Sequence, residues 1–286
     1  MTAEHQLIGA PVSLYTGKLR SYLRRKNIPF TEVLATAEVY RDVILPRTGV
    51  RYIPILITCD DQAVQDTTVI IDLLEQRYPE ASVYPDGPTQ RLVALLLEVY
   101  GDEWLVIPAM HYRWNIPENR AFALAEFGRT SAPHASAETQ SAIAGKLSKP
   151  FAGALPGLGV HEHTVSAIEE SYLALLGELD RHFQSYPFLL GDRPCIGDYG
   201  LLGPLYAHLY RVGIGLKTRS RYIRPPGFAP DCDSHGADLH ERRPHRRALA
   251  GGAARRPATR SRRVRRSSTR GCRSCGGLRS WSPPQA

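Results

Sequence analysis

No stretch of the 286 residues stays apolar for the roughly 18 positions that a bilayer-spanning helix requires, which argues against an integral membrane protein. The first 30 residues include acidic Glu4 and lack the charged, apolar, then small-residue order of a secretory signal. Cysteine is scarce: Cys59, Cys195, Cys232, Cys272 and Cys275 are too few and too scattered for a disulfide framework. A reducing, cytoplasmic setting is therefore expected. What is present is ordinary, with 43% hydrophobic and 22% charged residues, and the length suits two domains.

The formal net charge of +8 averages two unlike pieces. Residues 1–211 carry 18 Lys and Arg against 24 Asp and Glu, and residues 212–286 carry 17 Arg and one Lys against four acids. The body is mildly acidic, and nothing in it asks for nucleic acid. The basic segment also holds nine Gly, seven Pro and eight Ser, with too few large apolar residues to offset its chain entropy. It reads as a disordered tail.

Strand and helix signals alternate over the first 78 residues. Gln6–Gly9 and Phe30–Leu34 read as strands, and Tyr15, Leu19, Tyr22 and Leu23 form one helical stripe between them. Asn27 and Ile28-Pro29 end that helix. Ile53-Pro54-Ile55-Leu56-Ile57 is a β-branched run that turns at Asp60-Asp61-Gln62 onto Ala63–Gln65 as a hairpin. Thr67 opens a helix that stops at Tyr78-Pro79. This order predicts a four-stranded mixed sheet with helices packed on it. Helices follow. Leu92, Leu96, Val99 and Val106 mark a long one ending near Pro108, Ile168 to Phe183 a strong one, and Leu202, Leu205 and Leu209 a last one kinked by Pro204. Residues 130–160 are weakly patterned.

Four motifs in this order resemble the glutathione transferases. They are Ser13-Leu14-Tyr15-Thr16-Gly17-Lys18-Leu19-Arg20 running on to Asn27-Ile28-Pro29-Phe30, Gly49-Val50-Arg51-Tyr52-Ile53-Pro54-Ile55-Leu56, Gln65-Asp66-Thr67-Thr68-Val69-Ile70, and Gly191-Asp192-Arg193-Pro194-Cys195-Ile196-Gly197-Asp198. The resemblance covers about residues 6–211 and implies an α/β thioredoxin-like glutathione-binding domain over 1–80. An all-α substrate-binding domain over 88–211 follows, and the disordered Arg-rich tail over 212–286 has no counterpart. It also implies a cytoplasmic enzyme of detoxification, often dimeric, that uses glutathione as co-substrate, attacks a small electrophile and needs no metal.

Each motif has a physical reason. If Ile53-Pro54 is cis, the N–H and C=O of Ile53 face outward, where an extended peptide can add as a strand; the resemblance places the cysteinyl part of glutathione there. Asp66-Thr67 opens a helix whose free amides and partial positive charge suit the γ-glutamyl carboxylate, with Asp66 available to its ammonium. The same pair also makes a plain N-cap. Ser13 aligns with the serine of the serine-type members. There a hydroxyl and a helix N-terminus together stabilise a thiolate. Leu14 replaces the proline common in the family. Tyr15 is a second candidate donor, although its apolar stripe suits core packing, and Thr16 is a weaker third. Trp104, Pro108 and His111 would line the substrate cleft, followed by Tyr112 and Trp114; core packing is the competing reading for His111. Cys195-Ile196-Gly197-Asp198 has the spacing of a capping box, so Asp198 is expected to be structural.

Beyond Arg211 the resemblance ends where another helix is due, and the Arg-, Gly- and Pro-rich continuation reads as out-of-frame translation. Its alternative is a basic arm for nucleic acid or an anionic membrane, with Arg262-Arg263-Val264-Arg265-Arg266 supplying phosphate contacts. Cys272-x-x-Cys275 lacks the second tight pair of a zinc site. A non-catalytic glutathione-binding or stress protein is the alternative for the body.

Overall fold

The computed structural model describes residues 4–206. The basic segment 212–286, with the frame-shift, nucleic-acid and zinc readings made on it, lies outside the described residues, as does Leu209.

The chain begins with β1 (His5–Gly9), α1 (Leu14–Arg25) and β2 (Phe30–Leu34). Short helical pieces α2 (Ala37–Val39), a π-helical turn (Tyr40–Ile44) and α3 (Leu45–Thr48) lead to β3 (Ile55–Ile57), β4 (Ala63–Gln65) and α4 (Thr67–Arg77). The strands form one sheet in the order β2-β1-β3-β4, with β1 and β2 parallel and the other two pairings antiparallel. The expected mixed sheet is therefore present. The alternation of the strands buries both faces. Leu7 and Leu56 join Leu19, Tyr22, Ile70 and Leu74 beneath α1 and α4, while Ile8, Ile55 and Ile57 meet Ala35 and Ile44 on the other side. Glu75 ties α1 to α4: it accepts from the Tyr22 hydroxyl at 2.6 Å and pairs with Lys26 at 3.0 Å.

The rest is helical: α5 (Pro88–Val99), a second π-helical segment (Tyr100–Trp104), α6 (Val106–Asn115), α7 (Pro117–Ser131), α8 (Ala137–Leu147), α9 (Lys149–Gly153), α10 (Val165–Phe183) and α11 (Ile196–Pro204). The helix expected to stop near Pro108 runs on to Asn115, because Pro108 falls in the first turn of α6, where no intrahelical N–H is required. The stripe that marked α5 faces outward: Leu92, Leu96 and Val99 are 58%, 60% and 57% exposed. The face of α5 that is buried carries Ala94 and Glu98 instead.

Helix α11 joins the two parts. Ile196 and Tyr199 share one core with Leu7, Tyr22 and Ala94. The expected capping box is formed: Asp198 accepts from the amides of Cys195 at 2.8 Å and Leu189 at 3.0 Å. Burial pushes the Cys195 thiol up to about 12, so it packs as a neutral group. Two glycines let α11 approach the π-helical segment backbone to backbone. A Cβ on Gly101 would stand 2.4 Å from the Gly200 carbonyl.

Candidate functional site

Sheet register gathers three of the sequence motifs at one end. Ile8 near the end of β1 pairs with Ile55 at the start of β3, and Ile55 pairs with Gln65 at the end of β4. The segments that continue outward from those positions are Ser13 with the start of α1, Ile53-Pro54, and Asp66-Thr67 with the start of α4. They therefore emerge side by side.

Ser13 is the N-cap of α1. Its Oγ accepts from the Thr16 amide at 3.2 Å, and its own N–H donates to the Ala10 carbonyl at 3.1 Å. The hydroxyl proton has no acceptor among the described residues, so the group remains a donor toward solvent. Thr16 turns inward, its Oγ1 accepting from the Ala10 amide at 3.4 Å, and it is buried. Tyr15 is half-buried and donates to the Asp102 carbonyl at 2.8 Å. Burial, with Asp102, Glu103 and Asp66 nearby, pushes its phenol up to about 12. Its proton is committed to the contact with the helical part. Of the two hydroxyls named first, only that of Ser13 is open to a ligand.

The Ile53-Pro54 bond is cis, Pro54 is buried, and Ile53 stands outside the β3 ladder. Asp66 has φ +79°, a conformation that L residues seldom adopt and that concentrates at ligand-binding positions. Its Oδ1 caps the amides of Thr68 at 2.9 Å and Val69 at 3.4 Å. Thr67, buried in the first turn, keeps its amide uncommitted among the described residues.

Beneath this end lies a charge cluster that sequence reasoning missed. Lys18 is fully buried, with Nζ 2.7 Å from Glu98 and 2.5 Å from Asp102. Thr68 donates to the same Glu98 oxygen at 3.2 Å. Burial pushes the Asp102 carboxyl up to about 6 against the pull of Lys18, and Oδ1 of Asp102 has no hydrogen-bond partner among the described residues. The signal was available: Lys18 falls on the stripe of Tyr15, Leu19 and Tyr22, where a charge must be paired if the stripe is buried.

Trp104 and Pro108 line a cavity of about 270 Å³ with Tyr100, Ile168, Ser171 and Tyr172. Every residue lining it comes from the helical part, so it is a cavity within that part and not a cleft shared with the sheet. His111 is not among its lining residues. It is 3% exposed, and its ring nitrogens are engaged by Glu169 and Asn115, both at 2.9 Å. His111 is thus engaged within the core of the helical part, apart from the lining of that cavity. Trp114 and Tyr112 are buried as well.

Residues 7–82 match the sequence model of the glutathione S-transferase N-terminal domain. This segment is a glutathione S-transferase N-terminal domain. The match covers all the strands except the first two residues of β1, along with α1, α4 and the three gathered motifs. No curated protein matches the chain. Among solved structures, a glutathione S-transferase from Rhodospirillum rubrum is 17% identical over 71% of this chain and 77% of its own, with a TM-score of 0.48. One from Methylobacterium radiotolerans, in complex with glutathione sulfonate, is 19% identical over 86% and 100%, with a TM-score of 0.46. The Tau class enzyme of mango, Mangifera indica, is 18% identical over 84% and 91%, also with a TM-score of 0.46. At those scores the likenesses add nothing to the N-terminal match. The glutathione S-transferase N-terminal domain is followed here by helices, as expected. Among the described residues no helix is long and apolar enough to cross a membrane, and no group of side chains is arranged to hold a metal ion.

Proposed function

We propose that the chain is a glutathione transferase that binds glutathione at the gathered end of the sheet and holds its sulfur ionised for attack on a small electrophile. The observation that carries the reading is the register: it brings the cap of α1, the cis-proline segment and the first turn of α4 to one edge within a matched N-terminal domain. The edge at Ile53 takes the cysteinyl backbone as an added strand. The γ-glutamyl carboxylate takes the Thr67 amide and hydroxyl at the positive end of α4, and its ammonium takes the outer oxygen of Asp66. The Ser13 hydroxyl donates to the sulfur, and the N-terminus of α1 adds its partial positive charge. Both favour the thiolate, which then displaces or adds to an electrophilic carbon.

The co-substrate is apolar and flat. The supporting observation is the aromatic cavity around Trp104 and Tyr172, one turn from the Asp102 carbonyl that receives the Tyr15 hydroxyl. Tyr15 joins the two parts of the chain in this reading and does not touch sulfur. A second copy of the chain covers the outward stripe of Leu92, Leu96 and Val99, an apolar surface that a monomer would leave in water. The protein works in the cytoplasm, in detoxification, and requires no metal.

The test is retention on immobilised glutathione followed by thiol conjugation with an aromatic halide. Retention with conjugation that falls at least tenfold in Ser13→Ala is expected. Retention without conjugation would favour a non-catalytic glutathione-binding protein. No retention would overturn the reading.

A further inference from the structure

Arg113 is a buried charge that the proposed mechanism leaves unused. It stands in the last turn of α6 and is 4% exposed. Its Nη2 donates to the carbonyl oxygen of Val12 at 2.9 Å, across 101 positions of sequence. Val12 is itself 2% exposed, and its carbonyl belongs to the peptide unit whose nitrogen is that of Ser13. The Ser13 N–H at the other side of the same unit donates to the Ala10 carbonyl at 3.1 Å.

A peptide unit is a plane, so a bond at its oxygen and another at its nitrogen fix its orientation. The plane of Val12-Ser13 is thus held from the helical part and from its own loop at once. Its orientation sets where the Cα of Ser13 lies, and the Thr16 amide on Oγ then sets the side-chain direction. A guanidinium makes a shorter and stronger bond to a carbonyl than a neutral donor does. Hydrogen bonds weaken steeply with misalignment, so a small rotation of this plane matters to whatever the hydroxyl addresses.

We propose that Arg113 is a positioning residue for Ser13: through the Val12 carbonyl it orients the hydroxyl that donates to the glutathione sulfur. The inference rests on the glutathione reading above and extends it to a residue of the helical part. It makes the sulfur site dependent on the packing of that part against the first domain, with the Val12 carbonyl as a point of contact.

The test is a double-mutant cycle on the thiolate of bound glutathione, read by ultraviolet absorbance in the full chain. Ser13→Ala is expected to lower the thiolate fraction at fixed pH about tenfold, and Arg113→Gln about threefold. In the Ser13→Ala background Arg113→Gln is expected to change it no further, because nothing remains to be positioned. Arg113→Lys keeps the charge without the planar fork and should fall between wild type and Arg113→Gln. If Arg113→Gln lowers thermal stability equally in both backgrounds and leaves the thiolate unchanged, Arg113 is only a brace and the inference is wrong. An undiminished effect in the Ser13→Ala background also overturns it. Should Arg113→Gln not fold, the cycle is run with Arg113→Lys, where coupling of the same sign is expected and its absence is fatal. A wild-type chain that does not bind glutathione removes the parent reading and this one together. A wild type that binds and ionises the thiol, with no coupling to Arg113, removes this one alone.

Discussion

Replacing Asp102 by Asn removes a charge that the fold holds at a cost. Asp102 is 8% exposed, and the pKa of its carboxyl is raised to about 6 from an ordinary 3.8. Burial is the largest cause. Lys18 opposes it from α1, while Glu98 and Glu103 on its own side add to it. For an acid raised in this way the folded chain keeps a proton that the unfolded chain has released between about pH 4 and pH 6. Stability therefore falls as pH rises through that window, and the full cost stands above it. The raised pKa corresponds to about 3 kcal/mol at neutral pH. Asn mimics the protonated form, so Asp102→Asn should gain about 2 kcal/mol near neutral pH after some loss at Lys18. The gain corresponds to a rise of roughly 4–8 °C in Tm. Denaturant melts of wild type and variant, from about pH 4 to about pH 7.5, measure the difference. It should be near zero at the acid end and grow with pH. A variant less stable than wild type near neutrality, or a gap independent of pH, would show that Lys18 stabilises the charged carboxyl more than burial penalises it.

Lys18→Met leaves Glu98 and Asp102 facing each other in the interior, and should cost about 3–5 kcal/mol in the same melts. Gly101→Ala drives a methyl group into the Gly200 carbonyl and should cost about 3 kcal/mol, whereas Gly145→Ala, which meets nothing within 4 Å, should be neutral or better. Thr67→Val removes a hydroxyl at the start of α4 and should weaken glutathione binding about tenfold with little change in Tm. Leu96→Glu on the outward stripe should shift sedimentation toward a monomer without loss of helicity.

The first half of the fold was legible because its signals are local. The β-branched run before Asp60, the turn, and the caps at Ser13 and Asp66 each act within a few residues. The shared end of the sheet then followed from the order of the strands. The helical part was less legible. Leu92, Leu96 and Val99 have the spacing of a buried face and are exposed, since periodicity shows that a face is apolar and not what covers it. The π-helical turn at Tyr100–Trp104 has no periodic signature, so a continuous helix was the simpler reading. Lys18 and Arg113 meet partners 80 to 101 positions away; the stripe of α1 marks Lys18 as a charge in need of a partner, but the local sequence does not say which one. The two readings of His111, cleft and core, stayed open in the sequence for the same reason, its Glu169 partner lying on α10.

Titration calorimetry of the folded chain with glutathione probes the gathered edge most directly. The account predicts a saturable heat for one tripeptide per chain, weakened in both Thr67→Val and Asp66→Ala while the fold persists. No heat, or a heat indifferent to both substitutions, would contradict it.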